Sequence, residues 1–128
     1  MRPIGCVIGA LACAAVASAQ AGALDECMIK GDQAAVSRCL VEADNEAQAA
    51  LNKAEGDAGK RARDLDTATG RSGAAAALAR SMRAFSEYRK AQCDFVRAMY
   101  ASGAGAEQGM LGCRVDLTRR RVRDLSNQ

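Results

Sequence analysis

Residues 87–100 read EYRKAQCDFVRAMY, and residues 109–121 read GMLGCRVDLTRRR. Both segments have the composition and spacing of a helix, and each carries one cysteine, Cys93 and Cys113. Between them, SGAGA at 102–106 breaks the pattern. If the two segments form an antiparallel hairpin turning at Gly103, each cysteine lies ten residues from the turn. With a rise of about 1.5 Å per residue, both then stand at one height. A disulfide asks for Cα atoms about 4.4 to 6.8 Å apart, which adjacent helices reach when both cysteines face inward. The spacing therefore reads as a sulfur-stapled helical hairpin.

The same reading applies near the amino end. Cys27 and Cys39 are centred on Gln33, just beyond the Gly31-Asp32 turn. A lead-in folding back on the first helix would bring them together. The local pairs Cys27–Cys39 and Cys93–Cys113 are favoured. The crossed set, Cys39–Cys93 with Cys27–Cys113, competes with them. On the chain-entropy account each local bridge contributes about 3 kcal/mol. Zinc is disfavoured as a use for these thiols, because structural zinc sites draw on close pairs such as CxxC; no metal or other cofactor is expected.

Disulfides presuppose an oxidising compartment. The opening MRPIGCVIGALACAAVASAQ supplies a route to one. Arg2 precedes an apolar run from Ile4 to Val16, and Ala17-Ser18-Ala19 matches a small-x-small cleavage site. Residues 1–19 thus read as a signal peptide, with Gln20 first in the mature chain. The run is too short for a transmembrane span, which takes about 20 apolar residues. Ala10-Leu11-Ala12-Cys13 loosely resembles a lipoprotein box, but Ala10 stands where leucine is usual, so a lipid anchor on Cys13 is disfavoured. Cleavage would leave four of the six cysteines, an even set. The expected product is periplasmic or secreted, with residues 20–128 as one domain.

The rest of the chain reads as about three helices in a small all-α bundle. Residues 20–32 form a short ordered lead-in. Asp32 caps a helix starting at Gln33, whose apolar positions run Val36, Leu40, Ala43, Ala47, Leu51, Ala54 and Ala58, and less cleanly on through Leu65 and Ala68. Gly56 and Gly59 predict a kink or break near 56–60. Gly70 suits a left-handed C-cap and Ser72 the next N-cap. The second helix runs from about Ala74 to Ala101, with Leu78, Met82, Phe85, Tyr88, Gln92, Phe95 and Met99 along one side. The third runs from about Glu107 to Leu125, with Leu111, Val115, Thr118, Val122 and Leu125 in register. No segment shows the alternation of a strand.

The chemistry on offer is sparse. Lys and Arg total 18 against 15 Asp and Glu, and there is no histidine. Without Arg2 the net charge is about +2, too mild for strong steering of partners. Lack of histidine excludes Ser–His and Cys–His mechanisms. Neighbours one or two apart, as in Asp25-Glu26 and within Glu42-Asp44-Glu46, do not share a helix face, and helix surfaces are full of acids, so a catalytic carboxylate pair is disfavoured. GAGAEQG at 103–109 lacks the lysine and strand of a phosphate loop. The five arginines of RVDLTRRRVRD, 114–124, read as a solvated helix face rather than an anion site. Export and the absence of interleaved aromatics argue against nucleic acid.

An ordered set of residues is similar to a known family. Leu78, Phe85, Tyr88, Arg89 and Cys93, followed by Cys113, Thr118, Arg121 and Leu125, resemble the LprI-like lysozyme-inhibitor domains. The marks of that family are Q-x-x-W, Y-R-D-x-x-C and C-x-x-x-x-T-x-x-R-x-x-x-L. In the amino-terminal half, Cys27, Cys39, Ala43-Asp44 and Leu51-Asn52 match as well. Met82, Phe85 and Lys90 depart from the usual glutamine, tryptophan and aspartate, and Lys90 reverses a charge beside Arg89. The resemblance covers residues 25–126. It implies a small helical exported module that blocks a c-type lysozyme without catalysis, a helix end or loop filling the saccharide cleft. The alternative is an envelope module acting on another protein or on cell-wall material. A hydrolase is disfavoured. Phe85 and Tyr88 are expected in the core. Arg89 and Arg121 are expected to hold the helices in register, each paired with a carboxylate, Asp44 or Asp116.

Overall fold

The computed structural model describes residues 22–128. The expected signal peptide, its expected cleavage site and Cys13 lie outside the described residues. Four helices follow one another: α1 Ala23–Met28, α2 Gln33–Thr69, α3 Ala74–Met99 and α4 Ala104–Ser126. The described residues contain no strand. None of these helices is long and apolar enough to cross a membrane. α3 runs antiparallel to α2, and α4 returns alongside both.

Both local disulfides form. Cys27–Cys39 and Cys93–Cys113 have Cα separations of 5.7 and 5.6 Å, and the crossed pairing is absent. Asp32 caps α2, its Oδ1 accepting from the Ala35 N–H at 2.8 Å. Gly70 closes α2 in the left-handed conformation, φ 65°.

Four local expectations change. The lead-in is a helix of six residues, α1. It is too short to persist alone, and four contacts hold it: the Cys27 bridge, an ion pair from Arg119 to Glu26 at 2.8 Å, a cap in which Asp116 Oδ1 accepts from the Ala23 N–H at 2.9 Å, and close approach to α4. A Cβ on Gly112 would stand 3.0 Å from Leu24 Cβ, so a side chain there would press α1 away. α2 does not break at 56–60 but continues for 37 residues. Gly56 faces open space, so it removes no packing, and Lys53–Asp57 and Lys60–Asp64 pair across the segment at 2.7 and 2.9 Å. Ser72 does not cap α3. Asp66, reaching back from α2, accepts from the Ala74 and Ala75 N–H groups at 2.9 and 3.0 Å. α4 begins at Ala104, ahead of the expected start, because the turn is confined to Tyr100–Gly103, with Ala101 at φ 60° and Gly103 at φ 100°.

The core has two apolar clusters. One gathers Ala23, Cys27, Val36, Leu40, Ala47 and Val115 near the bridges. The other gathers Leu51, Ala58 and Leu125, with Leu78, Phe85 and Val122 packed against it. Between them lies a polar layer of Gln48, Arg89 and Thr118. Small side chains dominate the first cluster and the second has only three buried members, so burial contributes modestly at about 25 cal/mol per Å², and the covalent bridges carry proportionally more of the stability.

Candidate functional site

The polar layer accounts for three motif residues. Arg89 Nη1 donates to Gln48 Oε1 at 3.0 Å and to Thr118 Oγ1 at 2.8 Å. Thr118 is fully buried. Burial pushes the Arg89 guanidinium below its usual range, and nearby Arg114 adds to this; Asp44 and Glu55 oppose it. Arg121 Nη2 donates to Ser81 Oγ at 2.7 Å, which ties α4 to α3. Both guanidiniums lie 5.5 Å from the Phe85 ring centroid, within cation–π range. Leu125 is buried at the far end.

The expected carboxylate partners are therefore wrong. Asp44 pairs with Arg114 at 2.8 Å, and Asp116 caps α1. Arg89 and Arg121 instead meet neutral oxygens and an aromatic face, partners that a search for opposite charges does not select. Tyr88 is not core either; it is 55% exposed, and Phe95 and Met99 stand out in solvent beside it. The inward stripe of α3 runs through Met82, Phe85, Arg89, Cys93 and Val96. Counting Arg89 as polar surface shifts the stripe by one position and wrongly takes in Tyr88. The arginine run of α4 is likewise not a plain solvated face: Arg114, Arg119 and Arg121 all bind other helices.

The features that could engage a partner lie at one end of the bundle, where the α1–α2 and α3–α4 turns stand side by side. Gln108 of α4, which is buried, fastens them together. Its Nε2 donates to the Gln33 carbonyl at 3.1 Å and to Ser37 Oγ at 3.0 Å. Each turn is stapled by its own disulfide. The Tyr100 ring lies over Gly109, where an added Cβ would come within 2.5 Å of Tyr100 Cε2. Ala101 follows at φ 60°, the only non-glycine residue among those described to take positive φ. A strained non-glycine backbone of this kind is concentrated at functional sites. Arg97 and Glu107 brace the turn across it at 3.3 Å.

This tip is apolar and exposed. Ile29 is 83% and Met99 69% exposed, with Met28 and Tyr100 beside them. A cleft of about 340 Å³ runs between the two turns, lined in part by Met28, Gly31, Tyr100 and Gly105. Grouped exposed large apolar side chains are a mark of interaction surfaces, and methionine and tyrosine suit adaptable contact. Lys30 stands on the crest and forms no ion pair among the described residues.

Charge is divided along the bundle at the Gln48–Arg89–Thr118 layer. On the tip side, residues 22–48 and 89–118 carry nine acidic and six basic side chains, net −3. On the distal side, residues 49–88 and 119–128 carry six acidic and eleven basic, net +5. The mild total charge conceals this separation, which emerges only once the helices are folded together.

A larger cleft of about 460 Å³ lies at the distal end, with Leu65, Ala77, Leu78 and Leu125 among its lining. Its two arginines are occupied: Arg61 Nη2 donates to the Leu125 carbonyl at 2.7 Å, and Arg121 holds Ser81. The tip therefore offers more free contact chemistry. Residues 25–125 match the family described as Lysozyme inhibitor LprI. No curated protein and no solved structure matches the chain.

Proposed function

We propose, from the premise that this chain belongs to the LprI family of lysozyme inhibitors, that it binds a c-type lysozyme through the two-turn tip and blocks it without catalysis. The observation that carries this reading is the tip itself, an exposed apolar crest on two turns that are each closed by a disulfide. Lysozyme cleaves its substrate between two carboxyl groups in an open cleft. An occupant that fills the cleft and offers no glycosidic bond stops turnover. Ile29, Met99 and Tyr100 supply apolar contact, and Lys30 supplies a cation suited to the enzyme's carboxylates. Rigid turns lose little conformational entropy on docking, so more of the contact energy remains as affinity.

The charge division supports the same reading. Lysozymes of this type are typically cationic, and the tip side of this chain is net negative. Opposite potentials favour encounter and orientation. The proposed setting is the periplasm or the cell exterior, a placement supported by two disulfides in a small chain.

The test is a cell-wall lysis assay with a c-type lysozyme and increasing amounts of the oxidised protein. Progressive slowing of lysis that saturates near equimolar protein is expected, with association weakening as salt rises. Unchanged lysis at micromolar protein removes this reading. The basic distal side favours a second one, contact with anionic envelope polymer. In that case the protein co-sediments with cell-wall material when lysozyme is absent.

A further inference from the structure

α3 has a second face. Ser81, Tyr88 and Phe95 alternate with Ala77, Ala84, Ala91 and Ala98 in steps of three and four residues, and all seven are exposed. This is the seven-residue spacing of a coiled-coil seam, sustained over about three heptads. It lies to one side of the stripe that α3 turns toward α2 and α4, and apart from Ser81, which accepts from Arg121 of α4, the bundle leaves it uncovered. The aromatic positions are the informative ones: Tyr88 is 55% and Phe95 58% exposed.

We propose that this face pairs with the same face of a second copy of the chain, antiparallel, to form a homodimer. Size decides the direction. In a parallel pair Phe95 would meet Phe95 and alanine would meet alanine, leaving alternate crowding and voids. In an antiparallel pair every aromatic can sit on an alanine: Tyr88 on Ala84, and Phe95 on Ala77, of the second copy. Ala77 borders the distal cleft of about 460 Å³, which also draws on Leu65, Leu78 and Leu125. Phe95 of the second copy would enter that cleft, as a knob enters a hole.

Charge and size together decide the register. Arg80, Glu87 and Asp94 flank the seam on one side. With Tyr88 over Ala84, Arg80 of each copy comes opposite Asp94 of the other, giving two symmetric ion pairs. Arg80 forms no ion pair within its own chain among the described residues, and Asp94 is held there by Lys90 alone, at 2.6 Å. One heptad along in one direction, the same flank would set Glu87 against Asp94, like against like. One heptad along in the other, it would set Arg80 against Glu87, but Phe95 would then pass beyond Ala74, the start of α3, and lose its alanine. The chosen register does place Glu87 beside its own copy on the symmetry axis, so Glu87→Gln tightens the dimer. Antiparallel pairing also directs the two tips to opposite ends, where each remains free.

The experiment is sedimentation velocity of the oxidised protein over a range of concentrations. The expected mass is twice that of one chain. Ala84→Glu, a helix-compatible change at an exposed position, reduces it to one chain with an unchanged circular dichroism spectrum and unchanged effect on lysozyme. Arg80→Asp weakens the dimer, and adding Asp94→Arg restores it. A single-chain mass for the parent protein at every concentration overturns the proposal, as does an Ala84→Glu variant that still dimerises. Failure of the double exchange to restore assembly overturns the register.

Discussion

At the scale of single residues, the polar layer shows how one buried cation can organise three helices. Arg89 satisfies Gln48 from α2 and Thr118 from α4 while lying against Phe85 on its own helix. Removing it leaves Gln48 and the buried Thr118 hydroxyl without this donor. Arg89→Ala is expected to destabilise the fold by about 2 kcal/mol, read as a lower midpoint in urea denaturation. Arg89→Lys should recover only part of the loss: one nitrogen, Nη1, makes both bonds, but an ammonium on a shorter stem places its donors differently and lacks the planar group that lies over Phe85. The motif places Arg89 and Thr118 in the sequence, but their partnership was not legible there. Gln48 is one of many helical glutamines, and nothing in its neighbours distinguishes it. Asp116, Gln108 and Asp66 were hidden for the same reason, because each acts on backbone groups distant in sequence or across a turn.

Asp66 gives a pH dependence. Hydrogen bonds from the Ala75 and then the Ala74 N–H hold its carboxyl below the ordinary carboxylate range. A group with a depressed folded-state pKa binds protons more readily when unfolded. Its stabilising effect is therefore complete above the unfolded value and is lost as pH falls through the folded one. Asp66→Asn should lower the melting temperature at neutral pH and change it little in strong acid. An equal loss at both would contradict this role for the charge.

At the scale of elements, sulfur and glycine placement divide the readable from the unreadable. The equal spacing of Cys93 and Cys113 about Gly103 was visible in the sequence and fixes the α3–α4 hairpin. The equivalent spacing about Gln33 fixes α1 against α2. The continuity of α2 was not readable, because a glycine marks a break only where the chain has reason to turn. Gly56 meets nothing within 4 Å of a virtual Cβ, so Gly56→Ala should stabilise the protein by about 1 kcal/mol through helix propensity alone. Thermal unfolding measures this, and no gain would indicate that α2 bends at that position in solution. Replacing Cys93 and Cys113 together by alanine should cost about 3 kcal/mol and loosen the α3–α4 turn. Hydrogen exchange would then rise first at the amides around Tyr100–Gly103.

At the scale of the whole molecule, the bundle separates two kinds of surface. The tip is apolar, closed by two disulfides and on the net negative side, while the distal side is basic. Neither property is apparent in the overall composition, which averages them. The order of the motif residues was enough to indicate the family, but the proposed binding surface needed the fold, because Ile29 and Met99 are seventy residues apart in the chain and come to one end only through the returning helices. The most direct measurement compares lysozyme inhibition by the parent protein with that by an Ile29→Ser/Met99→Ser variant. These side chains are 83% and 69% exposed, so their removal should leave the fold intact. The account predicts at least tenfold weaker inhibition by the variant, corresponding to about 1.4 kcal/mol, with an unchanged melting curve. Equal inhibition by both proteins would place the lysozyme contact elsewhere and contradict the tip.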